Sequence, residues 1–192
     1  MRVILASVLL LVVVIAGCGS PTVNTSVQPT PTPTVTASPI APTPTQVMTA
    51  YLAKAEPVRA RYRRLVHQMD RIVATQAHST ADSTWAPVGR KIGSIAQKLY
   101  GVETRWALIT PPKGLAAAHN AYGKSIEQNR KMYALESYCY VNQLDMSAYS
   151  MYGKQLTALL NKGNDEWETY RLALSVAAAK LGVKIPWKWD LA

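Results

Sequence analysis

Between residues 47 and 182 the apolar side chains return at alternating steps of four and three, the spacing that lines them up on one face of a helix. The first stripe is Tyr51, Ala55, Val58, Tyr62, Leu65, Met69 and Ile72; it predicts a helix over about 46–78, kinked or divided at Pro57. The second, Trp85, Val88, Ile92, Ile95, Leu99, Val102, Trp106 and Ile109, has Pro87 near its start and is ended by Pro111-Pro112. A third stripe runs Leu115, Ala118, Tyr122, Ile126, Met132, Tyr133, Tyr140 and Leu144, with Thr110 as the expected N-cap and a turn around 142–147. The fourth, Tyr149, Leu156, Leu160, Trp167, Tyr170, Leu174, Ala177 and Leu181, closes at Gly182, and Gly163-Asn164 with Asp165 and Glu168 marks a point where it could kink or split. Four such stripes on short connections predict an all-α fold, an antiparallel up-down four-helix bundle.

Outside this region the pattern disappears. From Gly19 to Gln46 the chain has seven prolines and eight threonines and no charged residue, so it cannot bury enough apolar area to offset the entropy of ordering. Its Pro-Thr repeats favour extended polyproline II, so a disordered Thr/Pro-rich tether is expected here. Ahead of it, Met1-Arg2 and the apolar run Val3–Ile15 have the length and flanks of a signal peptide, short of a spanning helix. The run ends in Ile15-Ala16-Gly17-Cys18, which resembles the lipobox of bacterial lipoproteins. That resemblance implies cleavage before Cys18, acylation of its thiol, and anchorage to the outer face of the cell membrane. The expected organisation is therefore a signal peptide over 1–17, a lipidated cysteine and linker over 18–46, the bundle over 47–182, and a Trp/Lys tail over 183–192. The stretch Pro111-Pro112-x-x-Leu115-x-x-x-His119-x-x-Tyr122 resembles a pattern in uncharacterised small helical-bundle lipoproteins of Gram-positive-type bacteria, which implies fold and location but no activity.

Composition changes this picture in one respect. The 192 residues carry 21 Lys and Arg against 11 Asp and Glu, a formal charge of +10. Part of the excess lies on the first helix, where Arg59, Arg61, Arg63 and Arg64 are expected to meet anionic surfaces. Outside a bacterial cell those are lipid headgroups and wall polymers, so an envelope polymer or a protein, and not nucleic acid, is the expected partner. The tail Lys184-Ile185-Pro186-Trp187-Lys188-Trp189 either sits at a bilayer interface or folds back over the end of the bundle.

The chemistry is sparse. The two cysteines cannot form a disulfide framework, and once Cys18 is acylated Cys139 is a lone thiol, read as a small core residue with a disulfide between two copies as the alternative. None of His67, His78 and His119 has a glutamate three residues before it, which removes the di-iron bundle class. No cofactor and no metal are expected; haem ligated by His67 or His119 with Met69 or Met132 is the arrangement left open. Gly-x-Ser-x-Gly, Ser-x-x-Lys and phosphate-loop motifs are all missing, so no enzyme is expected. Polar residues near the third stripe, His119, Asn129 and Glu136, are the candidate ligand or register groups. At about 1.5 Å per residue His119 and Glu136 are roughly 25 Å apart, too far to share a mononuclear site. Asn129, nearest the centre of the stripe, is expected to fix helix register by a buried hydrogen bond. Two readings follow: a non-enzymatic interaction or binding module of the envelope, or a lipoprotein that binds a small ligand or cofactor between its helices.

Overall fold

A computed structural model describes residues 41–77 and 85–189; the lipobox with Cys18, the tether as far as residue 40 and His78 lie outside the described residues. Four helices make up the domain: α1 Pro44–Ala77, α2 Trp85–Ala107, α3 Ala116–Asn142 and α4 Met151–Lys180. They form the expected antiparallel up-down bundle, with α2 packed on α3, α3 on α4 and α1 on α2.

The helix ends show where local chemistry differs from the expected boundaries. α1 begins inside the Thr/Pro stretch because Thr43 and Gln46 form a reciprocal capping box: Gln46 N donates to Thr43 Oγ1 at 3.2 Å, and Thr43 N donates to Gln46 Oε1 at 2.8 Å. Pro44 occupies the first helical position, where its missing N–H is harmless. Pro57 is exposed and α1 runs through it without division. Thr110 does not cap α3; the helix starts later, at Ala116, after a turn through Gly114 at φ +92°. At the start of α4, Ser150 Oγ accepts from Gly153 N at 2.9 Å. At its end Gly182, at φ +63°, donates to Ala179 O and Val183 to Ala178 O, a Schellman closure.

The stripes of α1, α2 and α3 supply the core, led by Tyr51, Leu65, Met69, Ile92, Leu99, Val102, Trp106, Tyr122 and Ile126. The α4 stripe is buried only in its second half, at Tyr170 and Leu174; Leu160 is exposed, and Tyr149 precedes the helix and is 90% exposed. In the first half of α4 the buried positions are Gly153, closed over by the backbone of Met146 and Ser147 in the preceding turn, and Gly163, which faces Gln128 and Asn129 of α3. α4 is continuous through Gly163, where an added Cβ would meet Gln128 Cβ at 3.5 Å, an ordinary contact. Gly163→Ala is therefore expected to raise stability by about 0.5 kcal/mol through helix propensity, read by chemical denaturation. A loss of stability would mean that α4 needs glycine there.

Cross-links fix the register of the helices. Asn129 Nδ2 donates to the Tyr62 hydroxyl of α1 at 2.6 Å and to Ser125 O at 3.2 Å, Arg130 pairs with Glu103 of α2 at 2.7 Å, and Lys124 with Glu166 of α4 at 3.8 Å. The first of these is a half-buried interhelix hydrogen bond at the position where one was expected to fix register. Gly89 lets α2 and α3 close together: its carbonyl accepts from Ser137 Oγ at 2.7 Å, and a Cβ there would fall 2.8 Å from Ser137 O.

A candidate ligand cleft between α1, α3 and α4

Two features bring the candidate polar residues into view: a packed aromatic cluster in the interior and an open cleft between helices. The cluster centres on Trp106, which stacks on His119 at 4.5 Å and meets Tyr122, Tyr170 and Tyr51 edge-on. Its Nε1 donates to His119 O at 2.9 Å. His119 is buried, its Nδ1 lies 3.2 Å from the Tyr51 hydroxyl, and burial lowers its pKa and favours the neutral ring. Burial likewise pushes the Tyr51 hydroxyl up to about 12. His119 is thus a core residue, separate from the other two candidates.

Arg59 joins this cluster, contrary to its expected place on an anionic contact surface. It is 3% exposed, because it follows Ala55 by four and precedes Tyr62 by three and so lies on the buried face of α1. Its guanidinium lies 4.4 Å from the ring centre of Trp187, 5.1 Å from Trp189 and 5.7 Å from Tyr122, while Nε and Nη1 have no hydrogen-bond partner. The tail is therefore folded back over the bundle, with Trp189 also against Trp167 and Tyr170. Of the remaining arginines, Arg61 and Arg63 are half-buried and Arg64 is exposed.

Asn129 and Glu136, about two turns apart on α3, line one cleft of about 440 Å³ floored by α3 and walled by α1 and α4. α3 contributes Ser125, Asn129, Met132, Tyr133 and Glu136; α1 contributes Tyr62, Met69 and Asp70; α4 contributes Asn164 and Trp167 at the opposite wall. The Asn129 amide braces Tyr62, which leaves the tyrosine proton free to donate. Glu136 is mostly withdrawn from water with no cation to offset the loss, and burial pushes its carboxyl up to about 7. The Tyr133 hydroxyl is raised by burial and by the charges of Asp70 and Glu136. No lysine, arginine or histidine lines the cleft, although the chain as a whole is strongly basic.

Met69 and Met132 both line the cleft, but neither His67 nor His119 does, so the arrangement left open for haem is not assembled there. His67 instead faces Asp70 at 3.6 Å on the exposed side of α1. Cys139 is fully buried, as expected of a small core residue, and not placed to form a disulfide between copies. Among the described residues no helix is long and apolar enough to cross a membrane, and no three His, Cys, Asp or Glu side chains gather into a group that could hold a metal. No protein-family model, curated protein or solved structure matches this chain.

Proposed function

We propose that this protein is an extracytoplasmic lipoprotein, held at the outer face of the cell membrane by acyl chains on Cys18, and that its bundle is a non-enzymatic binding module of the envelope. The small-ligand form of that reading is the better supported. The observation that carries it is the cleft, whose volume of about 440 Å³ falls in the range of small-molecule sites and whose walls mix aromatic and apolar surface with a few polar groups. A packed bundle has no need to leave the Glu136 carboxylate on the wall of a cleft with no cation beside it, because withdrawn polar groups cost free energy unless partnered. Ser125, the one hydroxyl nucleophile of aliphatic type in the cleft, has no histidine beside it, which favours binding over hydrolysis.

The anchor rests on the lipobox Ile15-Ala16-Gly17-Cys18 and on the physics of acyl chains, two or three of which hold a protein stably where one is marginal. Fractionation of the native host with mass analysis tests it. The wild-type protein is expected in the membrane fraction, cleaved before Cys18 and carrying acyl mass. Cys18→Ser is expected to lose that mass and leave the membrane. Retention of Cys18→Ser in the membrane fraction would contradict the anchor.

A further inference from the structure

The charge of the cleft is the reverse of the charge of the protein. A chain with 21 basic and 11 acidic side chains lines this cavity with two carboxylates, the largely withdrawn Glu136 and the more exposed Asp70, and with no basic group; His67 faces Asp70 at 3.6 Å from outside the lining. Such an arrangement is poor for an anion and favourable for a cation, since a Coulomb attraction is stronger in a partly dry site than in water. The rest of the lining points the same way. Tyr62, Tyr133 and Trp167 offer the π-systems that attract organic cations, and Met69 and Met132 are polarizable and adaptable to an apolar body. Asn129, whose Nδ2 is engaged with Tyr62 and Ser125, retains its carbonyl oxygen as an acceptor for an N–H donor.

We propose that the α1/α3/α4 cleft binds a small soluble organic ammonium ion with an apolar or aromatic body, its charge set against Glu136 and Asp70 and its body against Tyr133, Trp167, Met69 and Met132. The proposal rests on the cleft being a ligand site, and adds the class of ligand. A metal cation is a poorer fit, because the described residues gather no set of three ligating side chains.

The pH dependence follows from the groups around Glu136. These are Asp70 on α1 and Tyr133, Cys139 and Tyr140 on α3, all of which are acids; the one base beside them is His67, which faces Asp70 at 3.6 Å on the side of α1 away from the cleft lining, and α4 presents only Asn164 and Trp167 on the polar and aromatic side of the cleft. Glu136 must lose its proton to hold a cation, and its carboxyl is held up to about 7 by burial, so affinity is expected to rise with pH.

Titration calorimetry of the full chain in discs of zwitterionic lipid, with empty discs as the blank, tests this using phenethylamine and its neutral counterpart 2-phenylethanol. Phenethylamine is expected to bind about tenfold more tightly at pH 8 than at pH 6, and at least about tenfold more tightly than the alcohol at pH 8. Glu136→Gln is expected to lower amine affinity about tenfold or more and to flatten the pH profile, with its helical circular dichroism unchanged. Ala74→Trp, at an exposed position on the cleft wall, is expected to abolish binding. Equal binding of amine and alcohol, blocked by Ala74→Trp, overturns the ammonium class and leaves the ligand site standing. Full amine affinity in Glu136→Gln does the same. No binding of either probe overturns both.

Discussion

Trp106→Ala is expected to destabilise the domain by about 4–5 kcal/mol, a large share of the roughly 5–15 kcal/mol that holds an ordinary domain folded. Trp106 is 1% exposed and is the largest fully buried side chain. It touches rings from three other helices: Tyr51 on α1, His119 and Tyr122 on α3, and Tyr170 on α4. Truncation removes its transfer free energy, opens a cavity that four rigid rings cannot collapse to fill, and deletes the hydrogen bond to His119 O. The loss corresponds to a fall in Tm of roughly 10–20 °C for a domain of this size. Thermal and urea denaturation followed by circular dichroism measure it, and a cost within about 1 kcal/mol of wild type would show that the aromatic cluster is not the core of the fold. Trp106→Phe, which keeps ring contacts but not the N–H, is expected to fall between the two.

The second expected result has the opposite sign. Glu136→Gln is expected to stabilise the ligand-free domain at pH 8 by about 1–2 kcal/mol and to change little near pH 4.5. The carboxyl is held at about 7 in the folded domain against an ordinary 4.5, so the folded state keeps a proton that the unfolded chain releases. Its contribution is therefore fully present below about pH 4.5 and is lost as pH rises to about 7; above that, the ionised group is a standing cost. The full shift would correspond to about 3 kcal/mol, reduced here because Glu136 retains some contact with water. Glutamine has the same shape and no charge, so it removes the cost along with the pH dependence. Urea midpoints of both proteins between pH 4.5 and 8 give the comparison; parallel curves would mean that Glu136 ionises freely and that the cleft is wetter than its lining implies. A residue whose removal stabilises the empty fold but weakens ligand binding is behaving as a binding residue does.

Helix number, order and most of the core could be read from the stripes, because a period near 3.6 with apolar residues of sufficient size leaves few alternatives. What was missed came from chemistry that such a period does not register. The Thr43-x-x-Gln46 capping box lay inside a segment dominated by proline and threonine, although its spacing was visible. Arg59 has the charge of a surface residue, while its spacing from Ala55 and Tyr62 places it inward; three aromatic rings, two of them from the tail, replace the solvent that a guanidinium ordinarily keeps. The first half of α4 reads as apolar, yet its buried positions are Gly153, under the preceding turn, and Gly163, against α3. Of the candidate polar groups, Asn129 makes a hydrogen bond across to Tyr62 of α1, but the company Glu136 keeps with Asp70, Tyr133 and Trp167 spans three helices and has no signature in one-dimensional spacing.

Whether the cleft holds a small molecule in the cell is answered by comparing native and denaturing mass spectra of the protein extracted from its own membrane. The expected result is a denatured mass of residues 18–192 plus acyl chains, and a native mass larger by one small molecule that is absent from the Ala74→Trp protein. A native mass equal to the denatured mass, in wild type and variant alike, would contradict a ligand-binding role for the bundle.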